Sequence, residues 1–328
     1  MFASLRTLFV GLFVALAPAA GLAESGTITV YTSQPSDQME AVIKAFNADH
    51  PEIKVQLFRS GTTEIMSKLQ AEFAAGQVKA DVLLIADAIA MTQVKKQGEL
   101  YAYVDAPIKD LPPAAVDPDK TFFGTKLITT GIIYNTKLVS TPPKTWADLT
   151  DKSVASKLIM PSPLYSGAAV IHVATMVQQP QFGWNYYKSL AAGGAVAAQG
   201  NGTVVEAVAR GEKAYGIIVE FMAINAKKTG SPVDFVFPSD GVTTITQPIA
   251  ILKRSANIAA AKVFVDWQLS KAAQQQAVGQ GYFPVLGGVA SPSGYPAVST
   301  LKIMSADPAK MLSDDVTNKK AFTELFGG

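Results

Sequence analysis

The sequence contains no cysteine and only two histidines among its 328 residues. Without cysteine the chain has no disulfides, no thiolate metal ligands, no thiol nucleophile and no lipid-anchoring cysteine. His50 precedes a proline at a helix end and His172 lies in an apolar stretch, and neither has a partner at metal-ligand spacing. No Gly-x-Ser-x-Gly nucleophile elbow occurs. The residues therefore do not indicate chemistry by an activated nucleophile or a metal cluster.

Charged residues are also sparse, at 16% of the chain, and the formal net charge is +2. No run of lysine and arginine is longer than two residues, and aromatic residues do not alternate with basic ones. Both observations argue against a nucleic-acid-binding surface.

The N-terminus carries an apolar run, residues 8–17, after a segment whose only charge is Arg6. This run is shorter than the about 20 residues that a membrane span needs, and Pro18 ends it. Gly21 and Ala23 match the −3 and −1 positions of a signal-peptidase site. We therefore predict a signal peptide over residues 1–23, cleavage near Ala23 and export to the periplasm.

The mature chain alternates strand-like and helix-like segments. Residues 27–31, 53–58 and 80–85 are β-rich, whereas residues 37–47 and 63–75 place apolar side chains at helical spacing. Such alternation builds sheets with helices on both faces, and ligands bind beyond the carboxyl ends of the strands. A chain of roughly 300 residues exceeds what one core usually supports, so we expect two domains.

No flexible tether separates the two expected domains, so crossing strands are predicted to join them. A β-rich stretch at 126–134 is one such strand, and residues 245–252 form a return segment. Lobe 1 is assigned to residues 24–130, to which the C-terminal segment from about 250 returns. Lobe 2 is assigned to residues 131–249.

Two short turns rich in glycine and hydroxyl groups, residues 59–63 and 165–168, each follow an extended or apolar run and open a helix-like stretch. Each turn would present free backbone N–H groups and a hydroxyl at a helix N-terminus, where proteins hold phosphate or carboxylate. A single turn of this kind is more often a helix cap that holds no ligand. Two of them in an exported chain without a catalytic grouping indicate a protein that binds and releases an anion.

Several motifs occur in a fixed order along the mature chain: Ile28-Thr29-Val30-Tyr31, Arg59-Ser60-Gly61, Ala80-Asp81-Val82, Pro143-Lys144-Thr145-Trp146-Ala147-Asp148-Leu149, Ser166-Gly167-Ala168 and Gly211-Glu212. In this order the chain resembles the extracellular solute-binding proteins of ABC importers, in particular the branch with ferric-ion-binding and phosphonate-binding proteins. The resemblance implies an α/β, two-lobed periplasmic binding protein fold of type II. That fold has mixed sheets with helices on both faces, and a ligand cleft between lobes that are joined by crossing strands and close around the ligand.

The ferric members of this branch would place a histidine soon after the first strand and a Tyr-Tyr pair after the strand that follows the Gly-Glu step. Here Pro35 follows the first strand region, and Glu220-Phe221 stands where the tyrosines are expected. Tyr186 and Tyr187 lie upstream of that step, in a helical stretch where we predict that they pack in a core. We therefore predict no metal ligands and no cofactor.

In the ferric branch a Ser-Gly-Ala turn contacts a phosphate beside the metal, with help from an asparagine of a later loop. The resemblance therefore implies that a phosphate-like group is itself the ligand, and the phosphonate branch makes 2-aminoethylphosphonate the leading candidate. The residues predicted to hold the phosphonate group from both lobes are Ser60, Gly61, Thr62, Thr63, Ser166, Gly167, Ala168 and Asn201.

The ammonium end of such a ligand needs acceptors or an aromatic face. Glu220 is the preferred candidate because it replaces the ferric tyrosine at a position expected to face the cleft, although a solvated carboxylate at a strand end is the plain alternative. Asp87 is equally explained as a helix cap. The other candidates for the amine or the cleft wall are Tyr31, Thr32, Ser33 and Tyr101, of which the tyrosines are equally explained as core residues.

The resulting hypothesis is a monomeric periplasmic protein that binds 2-aminoethylphosphonate by cleft closure and delivers it to an ABC permease in the inner membrane. It is not predicted to be an enzyme or to bind nucleic acid. One alternative keeps the fold but changes the ligand to ferric ion, a polyamine or another small organic anion. A secreted phosphate-ester hydrolase is the alternative from another class.

Overall fold

A computed structural model describes residues 25–327 of the chain, so the predicted signal peptide and its cleavage site lie outside the described residues. Over this range no helix is long and apolar enough to cross a membrane. The strands are β1 (Gly26–Thr32), β2 (Ile53–Arg59), β3 (Val82–Leu84), β4 (Phe123–Gly124), β5 (Ile128–Asn135), β6 (Leu158–Pro161), β7 (Val196–Ala198), β8 (Tyr215–Val219), β9 (Val233–Val236), β10 (Thr243–Ile245) and β11 (Pro248–Ile251).

The α-helices are α1 (Ser36–Asp49), α2 (Thr62–Ala75), α3 (Ala88–Lys96), α4 (Lys152–Ala155), α5 (Gly167–Val177), α6 (Gly183–Gly193), α7 (Asn201–Ala209), α8 (Glu220–Lys228), α9 (Ile258–Leu269), α10 (Lys271–Gly279) and α11 (Pro308–Phe326). Short 3-10 helices span Pro113–Ala115, Ala147–Thr150 and Val298–Thr300. Side chains cap several α-helices in the way the sequence favours: Asp87 accepts from first-turn N–H groups of α3, and Asn257 and Ser270 do the same for α9 and α10.

The first lobe is built on a five-stranded sheet in the order β2-β1-β3-β11-β4. Strands β2, β1 and β3 are parallel, whereas β11 runs antiparallel to both of its neighbours. The apolar faces of α1, α2 and α9 cover this sheet through buried side chains such as Phe46, Leu69 and Phe264. Burial of this apolar surface is the main favourable term that holds the helices on the sheet.

The second lobe is built on a sheet in the order β10-β5-β8-β6-β7, and β9 pairs with β5 alongside β10. Strands β6, β7 and β8 are parallel, and β5 is antiparallel to β8. Helices α5 and α7 pack on one set of buried residues that includes Ile133 and Val204. Helix α6 buries Tyr186 and Tyr187 in another cluster, with Trp146 and Phe322, so the expectation that this tyrosine pair packs in a core is confirmed.

Extended segments connect the two sheets. Residues 125–127 lead from β4 to β5, residues 246–247 lead from β10 to β11, and the N–H of Thr125 donates to the carbonyls of Thr246 and Gln247. Leu127 and Phe283 exchange backbone hydrogen bonds beside them. The predicted α/β architecture, two lobes with mixed sheets joined by crossing strands, is confirmed.

The sheets divide a little before the expected step at 130/131, because β5 begins at Ile128 and belongs entirely to the second sheet. The C-terminal segment also divides. Strand β11 and helix α9 lie on the first lobe, but α11 packs on α5 and α6 of the second lobe and also on α3 of the first.

Candidate ligand cleft

A cleft of about 490 Å³ lies between the two lobes. Its first-lobe wall comes from the segments after β1, β2 and β3, and its second-lobe wall from the segments that precede α5, α7 and α8. The lining residues are Ser33, Gln34, Pro35, Ser36, Arg59, Ser60, Gly61, Thr62, Glu64, Ala86, Ile128, Tyr165, Ser166, Gly167, Ala168, Gln199, Gly200, Asn201, Gly202, Thr203, Val219, Phe221, Met222, Gln247 and Tyr282.

Among the described residues, five helices begin at this cleft: α1, α2, α5, α7 and α8. At four of these starts the capping residue, Pro35, Gly61, Gly200 or Val219, makes no side-chain hydrogen bond to the first turn. First-turn N–H groups of a helix have no intrahelical partner, and the helix dipole is positive at that end. The cleft is therefore electrostatically suited to an anion, although few charged side chains line it.

The two turns that the sequence singled out lie against each other. A Cβ atom built on Gly61 would stand 3.1 Å from the carbonyl oxygen of Tyr165. One built on Gly167 would stand 2.7 Å from the carbonyl oxygen of Ala86 and 2.8 Å from Thr62 Oγ1. The lobes thus meet backbone to backbone at these turns, and a ligand held there is reached from both sides.

Ser166 is oriented by two donors. Its Oγ accepts a hydrogen bond from the N–H of Ala169 at 3.2 Å and another from Asn201 Nδ2 at 3.0 Å. Asn201 is held in turn, because its Oδ1 accepts from the N–H of Val219 at 3.3 Å. A hydroxyl has two acceptor positions and one proton. Since both acceptor positions are used, the hydroxyl has its proton left to donate, and Ser166 lines the cleft.

The matching hydroxyl of the first-lobe turn is arranged differently. Ser60 Oγ makes a short hydrogen bond to Glu64 Oε2, and both side chains line the cleft. Arg59 Nε donates to the carbonyl of Gln34 at 3.4 Å. The first lobe therefore contributes backbone N–H groups and one arginine, while the Ser60 proton is already bound to a carboxylate.

Most of the residues predicted for the phosphonate group line this cleft: Ser60, Gly61, Thr62, Ser166, Gly167, Ala168 and Asn201. Ser33, predicted for the cleft wall, lines it too, and its Oγ accepts from the N–H of Ala86 at 3.0 Å. Thr63 is not among the lining residues. It follows Thr62 within the first turn of α2, where successive side chains point in different directions.

Glu220, predicted to read the amine, lies beneath the cleft and not on its wall. The side chain is fully buried, and its Oε2 accepts from the N–H of Thr129 at 2.7 Å while Oε1 has no hydrogen-bond partner. Burial raises the pKa of this carboxyl to about 8. Its neighbours Val219 and Phe221 line the cleft instead, because α8 begins here and turns the intervening side chain inward.

Asp87 is a buried helix cap, which was the alternative explanation for it. Its Oδ1 accepts from the N–H groups of Ile89 and Ala90, both at 2.9 Å, and burial raises its pKa to about 7. Thr32 is also buried, and its Oγ1 accepts from the N–H of Gln34. Neither residue lines the cleft.

The two predicted tyrosines face other parts of the first lobe. Tyr31 packs in the core beside α2 and donates to Glu72 Oε1 at 2.6 Å, and burial raises its pKa above the ordinary value. Tyr101 packs against the other core cluster of this lobe, with the ammonium of Lys262 5.2 Å from its ring centre. Tyr31 is thus a core residue and Tyr101 packs half-buried against the core, and neither lines the cleft.

Other lining residues were not predicted. The sequence Gly200-Asn201-Gly202-Thr203 is a third turn of the same kind, and its glycines and hydroxyl were a usable signal of which only Asn201 was taken. Gln247 comes from a crossing segment and Tyr282 from the segment after α10 that pairs with the other crossing segment, and neither carries a local signal. The side chain of Gln247 is buried and its Oε1 has no hydrogen-bond partner, while the Tyr282 ring stacks on Phe221 at 4.2 Å between centres.

Residues 25–327 contain no group of three or more histidine, aspartate or glutamate side chains that could hold a metal ion. The geometry defines a two-lobed binding protein with an anion-suited cleft at the lobe interface. The family model described as "Bacterial extracellular solute-binding protein" matches residues 32–275, and the chain belongs to this family. It is thus the periplasmic substrate-binding component of an ABC importer, a class that is generally not enzymatic.

Individual relatives and solved structures are similar to this chain over most of its length. An uncharacterized protein of Haemophilus influenzae is 29% identical over 280 residues, which are 80% of this chain and 80% of the relative. The periplasmic binding protein AfuA of Actinobacillus pleuropneumoniae, solved with exogenous fructose-6-phosphate bound, is 24% identical with a TM-score of 0.83, over 92% of this chain and 99% of that one. Iron-bound HitA of Pseudomonas aeruginosa is 22% identical with a TM-score of 0.78, over 90% and 99%.

Proposed function

We propose that the protein binds a small organic phosphonate or phosphate by its phosphorus group, between the turn at Ser60–Thr62 and the turn at Ser166–Ala168, and carries it to an ABC permease. One observation supports this above all others. Helix N-termini from both lobes converge on one cleft, which is also lined by a serine whose hydroxyl accepts two hydrogen bonds and keeps its proton for a ligand. A phosphonate carries roughly −1.5 to −2 charges near neutral pH and has three acceptor oxygens, as a phosphate monoester does, so this donor arrangement suits it.

2-Aminoethylphosphonate remains the named candidate, on the strength of its phosphonate end. Glu220 lies beneath the cleft wall and is therefore not in a position to bind the amine of this ligand. Among the residues that line the cleft in the described chain, Glu64 is the only carboxylate, and it is bonded to Ser60. An amine bound near the first-lobe turn would therefore meet Glu64.

A larger phosphate ester is the second candidate, and the size of the cleft favours it. A volume of about 490 Å³ falls within the about 300–1,000 Å³ typical of drug-sized ligands and exceeds what a two-carbon phosphonate fills. Phe221 and Tyr282 offer an apolar wall, and the amides of Gln34, Gln199 and Gln247 offer donors and acceptors for hydroxyl groups. The sugar phosphate bound to AfuA is a ligand of this kind.

The two candidates are separated by thermal-shift and calorimetric measurements on the mature protein. The panel is 2-aminoethylphosphonate, ethylphosphonate, inorganic phosphate and fructose 6-phosphate, with ferric citrate and putrescine for the alternatives that keep the fold. We expect stabilisation by one of the organic phosphorus compounds and none by putrescine. Binding of ferric citrate alone would overturn the proposal. Release of inorganic phosphate from a bound ester would instead favour the hydrolase.

A further inference from the structure

Lys126 lies in the crossing segment between β4 and β5, behind the cleft wall. It is the only lysine or arginine among the buried residues of 25–327, at 2% exposure. Its Nζ donates to Gln34 Oε1 at 2.9 Å and lies 4.9 Å from the centre of the Tyr282 ring. Both of these neighbours line the cleft.

This ammonium has no carboxylate partner within 25–327, since the ion pairs of that range do not include it. An unpaired buried ammonium is unfavourable and is offset either by loss of its proton or by an anion nearby. Burial lowers the pKa of Lys126 to about 7. Since Gln34 and Tyr282 separate Lys126 from the cleft, an anion bound there would supply the missing counter-charge.

We propose that Lys126 is a positioning and charge-selecting residue of the cleft: it holds the Gln34 amide in place and, from behind the wall, favours a doubly negative ligand over one that carries an ammonium. This inference rests on the proposed function. It gives the binding of a phosphate or phosphonate a second electrostatic source besides the helix N-termini.

A linked proton follows from this arrangement. At about pH 8 most of the ligand-free protein has Lys126 neutral, and a dianion in the cleft raises the pKa of the ammonium, so binding takes up protons. The Lys126 contribution to affinity therefore falls as the pH rises through about 7 to 9. Below about pH 7 Lys126 is already charged and contributes no uptake.

The proton uptake due to Lys126 must be distinguished from that of other titratable groups near this wall. Tyr282 packs against Lys126, and the carboxylates of Glu220 and Asp37 act on Tyr282 electrostatically. Arg59 bonds to the backbone of Gln34. Glu220 and the cap residue Asp87 have raised pKa values of about 8 and about 7, so either could also take up protons when an anion binds. The variants Glu220→Gln and Asp87→Asn remove these contributions one at a time.

The experiment is calorimetry of ethylphosphonate, 2-aminoethylphosphonate and fructose 6-phosphate at about pH 8 in buffers of different ionisation enthalpy, which yields the number of protons bound per ligand. Wild type, Lys126→Met, Lys126→Arg, Glu220→Gln and Asp87→Asn are compared. We expect proton uptake in wild type and a clear part of it lost in Lys126→Met. That variant should also bind a dianion on the order of tenfold more weakly, as for two charges several Å apart at an effective dielectric constant near 20.

Lys126→Arg keeps the charge and should retain affinity without the linked proton. The ratio of 2-aminoethylphosphonate to ethylphosphonate affinity should rise in Lys126→Met, which a purely structural defect would not produce. If these variants do not fold, the ε-carbon shift of Lys126 in wild type gives its pKa with and without ligand, and an unchanged pKa overturns the inference. Equal proton uptake in wild type and Lys126→Met also overturns the inference. If no compound of the panel binds wild type at all, the proposed function has failed and this inference fails with it.

Discussion

Thr62 Oγ1 lies 2.8 Å from the position that a Cβ atom would occupy on Gly167. Thr62 begins α2 in the first lobe and Gly167 begins α5 in the second, so the absence of a side chain on Gly167 sets how closely the lobes approach. Ala86 and Asp87 surround the same position, each with an atom 2.7 Å from it. Contacts this short leave no room for a methyl group.

Gly167→Ala should hold the lobes apart at the cleft and weaken ligand binding. Overpacking a close contact costs about 1–3 kcal/mol, which corresponds to roughly ten- to a hundredfold in affinity if the lobes open to relieve it. Calorimetry with the best ligand of the panel measures the loss, and small-angle scattering measures the opening.

Gly202→Ala is the matched control for this substitution. Gly202 also lines the cleft in the first turn of a helix, but nothing lies within 4 Å of a Cβ atom built on it. The ligand affinity of Gly202→Ala should therefore stay close to that of wild type. Equal affinities of the two variants would show that the contact at Gly167 does not limit closure.

Ser166→Ala should remove the hydroxyl donor to the ligand and the cap of α5 together. A hydrogen bond to a charged group contributes about 1.5–3 kcal/mol, or roughly ten- to a hundredfold in affinity. Loss of the cap costs a further ~1 kcal/mol of stability. Calorimetry and denaturant unfolding measure the two effects separately.

Ser270→Ala removes an equivalent cap outside the cleft. Ser270 Oγ accepts from the N–H of Ala273 at 3.2 Å, the same distance as between Ser166 Oγ and the N–H of Ala169. This variant should lose comparable stability and keep its affinity. If Ser166→Ala loses no more affinity than Ser270→Ala, the anion is bound elsewhere.

Much of this site could be predicted from local features of the sequence. Strands β1 and β2 fall within about a residue of the predicted segments, and both turns reach the cleft because a hydroxyl-glycine turn at a helix start is a local feature. Glu220 could not be placed in this way, because the first residue of a helix after a strand can face either the cleft or the core. Lys126 lies behind the cleft wall and Tyr282 lines it only because the chain crosses between the lobes here, an arrangement that periodicity does not encode.

Tyr31→Phe should leave ligand binding unchanged. The Tyr31 hydroxyl donates to Glu72, which also accepts from Lys68 and from the N–H of Lys79, and the whole group lies outside the cleft lining. Loss of one hydrogen bond should cost about 0.5–1.5 kcal/mol of stability. Calorimetry and denaturant unfolding test both expectations, and a loss of affinity would place Tyr31 back among the ligand-binding residues.

Glu220→Gln should make the protein more stable than wild type at alkaline pH and leave the two alike near pH 5. Burial raises the pKa of Glu220 to about 8 from its ordinary 4.5. Between these values the folded protein binds a proton that the unfolded chain has lost, so the Glu220 contribution to stability falls as the pH rises and levels off above about 8. Glutamine cannot ionise, yet its side-chain oxygen can still accept from the N–H of Thr129.

Lys126 changes the pH dependence of stability in the opposite direction to Glu220. Its pKa of about 7 lies below the ordinary 10.5, so its contribution to stability rises with pH between these values. The comparison of Glu220→Gln with wild type cancels this contribution, because both proteins keep Lys126. Denaturant unfolding at a series of pH values should therefore give a stability difference that grows from about pH 5 to 8 and reaches at least about 1 kcal/mol, the lower end of the cost of an unsatisfied buried polar group. A difference that stays constant with pH would show that Glu220 is ionised in the folded protein throughout, with a counter-charge that the present geometry does not contain.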